Sequence, residues 1–177
     1  PVYNRTLANN GLLGDGHYAL ADNAEARDSE YQVGLDWATE ALKLAAPEYV
    51  AAKQTGKPHQ DAIKLAGKDA VPAMYWYAAN LGKWAASKGF ATRLKYKDAL
   101  KATMDQVKAL EGEPLFFYAA TWRYFGGYEA ATAGIAGGSI EKSQENFEKA
   151  IALAPNYLGN KVLYADFLCP KLQKDLD

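Results

Sequence analysis

This sequence has little cysteine or histidine, and it lacks β-alternation, basic clusters and long apolar runs. Cys169 is the only cysteine, which excludes an intrachain disulfide and a cysteine-based metal site. His17 and His59 are the only histidines. Neither falls in a Glu-x-x-His or His-x-x-x-His spacing, so solvated histidines are expected and a metal centre is not. No stretch approaches the roughly 18 apolar residues that span a bilayer. Lys and Arg total 20 against 21 Asp and Glu, and no basic cluster stands out. Sequence-blind attraction to nucleic acid needs such a cluster, so no nucleic-acid partner is expected. The chain begins at Pro1 rather than Met, which leaves room for a leader removed upstream.

What the chain does hold is helical periodicity, carried by Ala, Leu, Lys and Glu. The length of 177 residues fits one domain, 1–177, with a core that needs no staples. Helices are expected at Leu12 to Asp22, Asp28 to Ala46, Glu48 to Gln54 and Gln60 to Ala66. In the second, Tyr31, Leu35, Ala38, Leu42 and Ala45 make one apolar stripe. A further helix fills Val71 to Gly89, with Pro72 in its first turn and Gly89 as a left-handed cap. Others run from Tyr96 to Glu111, from Pro114 to Ala133, from Ser139 to Ala154 and from Gly159 to Leu168. Ser139 is the expected N-cap of its helix. Pro170 interrupts the last, with one more turn beyond it. Short connections predict antiparallel helix pairs.

Ser143, Phe147, Ala150 and Pro155 are spaced 4, 3 and 5 apart, the small–aromatic–small–proline pattern of a tetratricopeptide second helix. Leu100, Met104, Val107 and Gly112 repeat that spacing, and Gly34, Ala38, Ala41 and Pro47 come within one residue of it. The fold class expected is therefore all-α: degenerate tetratricopeptide-like hairpins stacked into a solenoid or bundle.

Val71 to Gly89 carries three stripes rather than one. Tyr77, Leu81 and Trp84 form the bulky one; Met74, Ala78, Gly82 and Ala85 form the small one. Two apolar stripes suit a helix with neighbours on both sides. The third stripe, Trp76, Asn80, Lys83 and Ser87, is either the wall of a groove or a strip in which Trp76 lies on the surface or packs under a loop.

The helix expected from Pro114 holds Phe116, Phe117, Tyr118, Trp122, Tyr124, Phe125 and Tyr128, with Arg123 among them. Arg123 reads as an anchor for an anionic ligand or, by preference, as half of a structural ion pair. Gly134 to Ser139 lacks the Gly-Lys-Ser/Thr ending and the preceding strand of a phosphate loop, so it reads as a turn. Ser139-x-x-Lys142 lacks its companion motifs and reads as chance. No residue set argues for catalysis. The chain is expected to be no enzyme and to need no cofactor. The candidate ligand or partner groove comprises Trp76, Asn80, Lys83, Trp84, Trp122, Arg123 and Tyr128.

Several stretches together resemble one family. Val71-Pro72-Ala73-Met74-Tyr75-Trp76-Tyr77-Ala78-Ala79-Asn80-Leu81-Gly82-Lys83-Trp84-Ala85 is similar to the signature helix of the T-component (TatT) family of tripartite ATP-independent periplasmic (TRAP) transporters. Arg123 to Tyr128, Gly137 to Ser143, Phe147 to Ala150 and Lys161 to Ala165 resemble its later landmarks, in order. The resemblance implies an exported, periplasmic helical protein on cryptic tetratricopeptide repeats. It implies meeting a solute-binding protein, a homo-oligomer with a central opening, and a lipid anchor that would precede this chain. Gly126-Gly127 departs from the family pattern of one glycine then a small residue, which suggests a bend there. The alternatives are a stand-alone binder of a small hydrophobic or anionic ligand, and a structural subunit of another periplasmic complex.

Overall fold

The computed structural model describes residues 27–112 and 115–172. The helix expected at Leu12 to Asp22, His17 and Pro114 lie outside them. Among the described residues the regular structure is helical, apart from one isolated bridge between Ala133 and Gly138. No helix among them is long and apolar enough to cross a membrane. The fold is all-α, as the periodicity predicts. Contacts gather the chain into two compact units, Pro1–Glu111 and Gly112–Asp177.

In the first unit, α1 (Arg27–Ala45) buries Tyr31, Ala38, Ala41 and Leu42, while Trp37 is exposed. Pro47 opens α2 (Pro47–Gln54), where its missing N–H costs no hydrogen bond. After the Thr55–Pro58 loop comes α3 (His59–Ala62), which tightens into a 3-10 turn, Ile63–Leu65. A second 3-10 turn, Lys68–Ala70, leads into α4 (Val71–Ser87). Helix α4 packs against both α1 and α5 (Phe90–Leu110). Met74, Ala78, Leu81 and Ala85 are buried, but the stripes differ from the expectation. Trp76 and Asn80 of the third stripe are buried too, because α1 packs on Asn80, while Tyr77 and Trp84 of the bulky stripe are only half-buried. Helix α4 runs antiparallel to α1. Gly34 meets Asn80, and Lys88, just beyond α4, pairs with Asp28 at the start of α1 at 2.9 Å.

The turn from α4 to α5 differs from the sequence expectation. Gly89 has φ 98° and ψ 178°, a region open to glycine but different from the left-handed cap. Its carbonyl accepts from the Arg93 N–H at 3.1 Å, so α5 starts at once, at Phe90 rather than Tyr96. Phe90 and Leu94 are exposed, so the first turns of α5 show no buried stripe to read.

The second unit holds α6 (Ala120–Thr132), α7 (Ile140–Leu153), α8 (Leu158–Phe167) and α9 (Cys169–Leu172). Helix α6 begins later than expected. Phe117, Tyr118 and Ala119 have φ of 44°, 57° and 61°, a left-handed turn and not a helix. Helix α6 itself runs unbroken through Gly126-Gly127. Helices α6 and α7 pack closely, with Ser143, Phe147 and Ala150 fully buried. Burying Phe147 contributes roughly 1.5–3 kcal/mol. The Ser143 hydroxyl donates to the Gly126 carbonyl at 2.7 Å, which satisfies it in that interface.

Candidate functional site

Trp76, Asn80, Lys83 and Trp84 lie on α4 in the first unit; Trp122, Arg123 and Tyr128 lie on α6 in the second. Trp76 is buried, its ring edge-on to Tyr75 at 4.9 Å. Asn80 is wholly buried, and its amide Nδ2 donates to the Trp76 carbonyl at 2.9 Å. A Cβ at Gly34 would collide with that amide, so Asn80 marks the closest approach of α1 to α4. Lys83 and Trp84 are half-buried. The Trp84 ring meets Tyr96 edge-on at 6.1 Å, with Lys88 Nζ 6.0 Å from its centroid.

In the second unit, Trp122 is half-buried under Lys149, whose Nζ lies 5.6 Å from the indole centroid. Tyr128 stacks on Tyr124 one helical turn away, at 6.5 Å. Arg123 is only 4% exposed. Contrary to the preferred sequence reading, it has no carboxylate partner among the described residues. Its Nη1 donates to Asn160 Oδ1 at 2.6 Å and to the Tyr118 carbonyl at 3.1 Å; Nη2 donates to the Phe117 carbonyl at 3.3 Å. Its Cζ lies 4.9 Å from the Tyr157 ring and 5.5 Å from the Phe117 ring, in cation–π range. Asn160 relays the charge onward. Its Nδ2 donates to the Ala150 carbonyl at 2.9 Å, in the last turn of α7, where the helix dipole is negative.

These contacts explain the left-handed turn. Left-handed backbone costs roughly 1–2 kcal/mol per non-glycine residue. Arg123 offsets part of that by binding the carbonyls of Phe117 and Tyr118, and charged hydrogen bonds contribute about 1.5–3 kcal/mol each. Sequence reasoning missed Phe117, Tyr118, Tyr157 and Asn160 as partners of Arg123. Asn160 itself gave no clear signal, since Asn156 and Lys161 flank it as further polar residues.

His59 is half-buried rather than fully solvated. The Thr103 hydroxyl donates to the Ala99 carbonyl at 2.8 Å, so it accepts from His59 Nε2–H at 2.8 Å. Nδ1 is then the lone pair that accepts the Tyr49 O–H at 3.2 Å. The imidazole also stacks on Tyr77 at 5.3 Å. Burial, then the nearby Lys53 charge, push its pKa down to about 4, so the ring is neutral. Burial likewise pushes the Tyr77 and Tyr49 phenols up.

The glycine-rich stretch turns several of its donors inward, away from any phosphate. Gly134 and Gly137 take φ of 75° and 83°. This folds the N–H groups of Ile135, Ala136 and Gly138 onto one carbonyl, that of Thr132, at 3.3, 2.9 and 3.2 Å. The Ser139 N–H donates to Glu129 Oε2 at 2.9 Å, placing a carboxylate where a phosphate would sit. Ser139 Oγ accepts the Lys142 backbone N–H at 3.2 Å, so Ser139-x-x-Lys142 is a helix cap. The same hydroxyl donates to Glu141, which holds that carboxyl below its usual range.

Compared with known protein families, residues 3–176 match the model of the TRAP transporter T-component. No curated protein matched the sequence.

Proposed function

We propose, on the premise that this chain belongs to the TRAP transporter T-component family, that it is the non-enzymatic periplasmic scaffold of such a transporter. Membership by itself associates the chain with a TRAP transporter. In the finer reading, the chain binds the transporter's solute-binding protein and self-associates, held at the membrane by an anchor outside this chain. The family match, which runs nearly end to end, is the observation that carries this reading. The α6–α7 pair supports a tetratricopeptide-like origin. Ser143, Phe147 and Ala150 are buried as the small–aromatic–small pattern requires, and α7 stops at Leu153, just ahead of Pro155.

Lys83 and Trp84 in one unit, and Trp122, Arg123 and Tyr128 in the other, are assigned to ligand or partner recognition; Trp76 is buried and packs inside the first unit. Asn80 holds α4 against α1 beneath the first set. Tagged chain incubated with periplasmic extract should retain a TRAP solute-binding protein, identified by mass spectrometry. Retention of none overturns the partner assignment.

A second reading, a stand-alone binder of a small anionic ligand, is favoured by one observation: Arg123 is buried without a carboxylate beside it among the described residues.

A further inference from the structure

Arg123 is 4% exposed, with only neutral dipoles and ring faces around its guanidinium among the described residues, so its charge is incompletely balanced. Arginine presents five N–H donors. Nη1 directs its two at the Tyr118 carbonyl and Asn160 Oδ1, and Nη2 directs one at the Phe117 carbonyl. The second Nη2 hydrogen and Nε–H meet no acceptor among the described residues. Nε and Nη2 flank one edge of the planar group, the edge that grips a carboxylate through two parallel bonds.

The backbone that Arg123 holds adds the exposed half of the site. Phe117, Tyr118 and Ala119 are three successive non-glycine residues at positive φ. Such backbone persists only where surrounding contacts impose it, here the hydrogen bonds from Arg123. Here the turn leaves Tyr118 58% exposed, stacked on Tyr157 at 4.7 Å with 8° between the planes. The Tyr157 ring in turn lies 4.9 Å from Arg123 Cζ. A solvent-facing aromatic plate therefore adjoins a buried cation that has donors to spare.

We propose that Phe117, Tyr118, Tyr157 and Arg123 form a binding site for a small carboxylate that carries an apolar ring. The ring lies on the Tyr118–Tyr157 plate, and the carboxylate takes the Nε/Nη2 edge of Arg123. Because so little of Arg123 reaches water, a charge placed there is weakly screened, and the site discriminates strongly between an acid and its neutral amide. This proposal rests on the functional reading only in taking Arg123 as ligand-facing. A pull-down that retains no partner leaves it standing, and a failed titration leaves transporter association standing.

The test is a calorimetric titration of the full chain with 3-phenylpropanoate at low salt, with 3-phenylpropanamide as the neutral isostere. The acid should saturate, and the amide should bind at least about 10-fold more weakly. Tyr118→Ala changes an exposed ring and should weaken the acid about 5-fold or more, with helical circular dichroism unchanged. Arg123→Lys keeps the charge but loses the fork, and should cost about 10-fold. Where that variant does not fold, Tyr118→Ala decides. Equal binding of acid and amide, undiminished binding by Tyr118→Ala, or no saturation by roughly 20 mM acid, far weaker than a millimolar Kd, overturns the proposal. So does binding of only a peptide that ends in a free-carboxylate phenylalanine, which would move the ligand from a small molecule to a protein terminus.

Discussion

Gly126 lies so close to Phe147 that a Cβ on it would sit 2.7 Å from the phenyl ring. Both residues are buried. Gly126→Ala gains about 1 kcal/mol of helix propensity, yet overpacking costs roughly 1–3 kcal/mol. We expect net destabilisation in urea denaturation, partly relieved in the double variant Gly126→Ala/Phe147→Leu. Additive effects of the two changes would show that the contact is not the cause.

Phe147 and Trp84 should behave differently despite similar size. Phe147 is fully buried, so Phe147→Ala should cost about 3–5 kcal/mol. Trp84 is half-buried and keeps one side near Lys88 and Tyr96, so Trp84→Ala should cost less, about 1–3 kcal/mol. Equilibrium unfolding of the two variants side by side checks the order.

His59 sets a pH dependence with a definite sign. Its folded pKa is about 4, against 6.5 for an unperturbed imidazole. Between those values the unfolded chain binds a proton that the folded chain refuses, so stability falls as pH drops from 6.5 toward 4. Above 6.5 both states are neutral and the effect vanishes. Since His59 is only partly buried, the loss is about 1–3 kcal/mol after allowing for solvent screening. His59→Gln should flatten the slope between pH 7 and pH 5, measured by denaturation at each pH.

Arg123 should resist conservative replacement. A lysine carries the charge but not the planar fork that reaches the carbonyls of Phe117 and Tyr118 and the amide of Asn160 at once. Arg123→Lys is expected to lose about 2–4 kcal/mol of stability, the cost of leaving buried acceptors unpaired. Faster hydrogen exchange at residues 115–119 would show that the left-handed turn had come loose; unchanged exchange would mean that the turn stands without Arg123.

The order of helices in the described chain, the turn at Gly134–Gly138 and the Ser139 cap were all legible in the residues. Each depends on neighbours a few positions away: a helical stripe, a proline in a first turn, a hydroxyl three residues before an N–H. The start of α5 was less legible, because Phe90 and Leu94 are exposed and contribute nothing to a buried stripe. The local pattern also placed Arg123 among aromatics.

Only the tertiary structure decided what Arg123 and His59 touch. Asn160 comes from a helix 37 residues beyond Arg123, and Thr103 lies 44 residues beyond His59. Nothing in the stretch Phe116-Phe117-Tyr118-Ala119 announces a left-handed turn, since its cost is met by hydrogen bonds from Arg123 and ring contacts with Tyr157. Periodicity is a property of the chain's own repeat, so the sequence carries it. The satisfaction of a buried charge is settled between segments that meet only after folding.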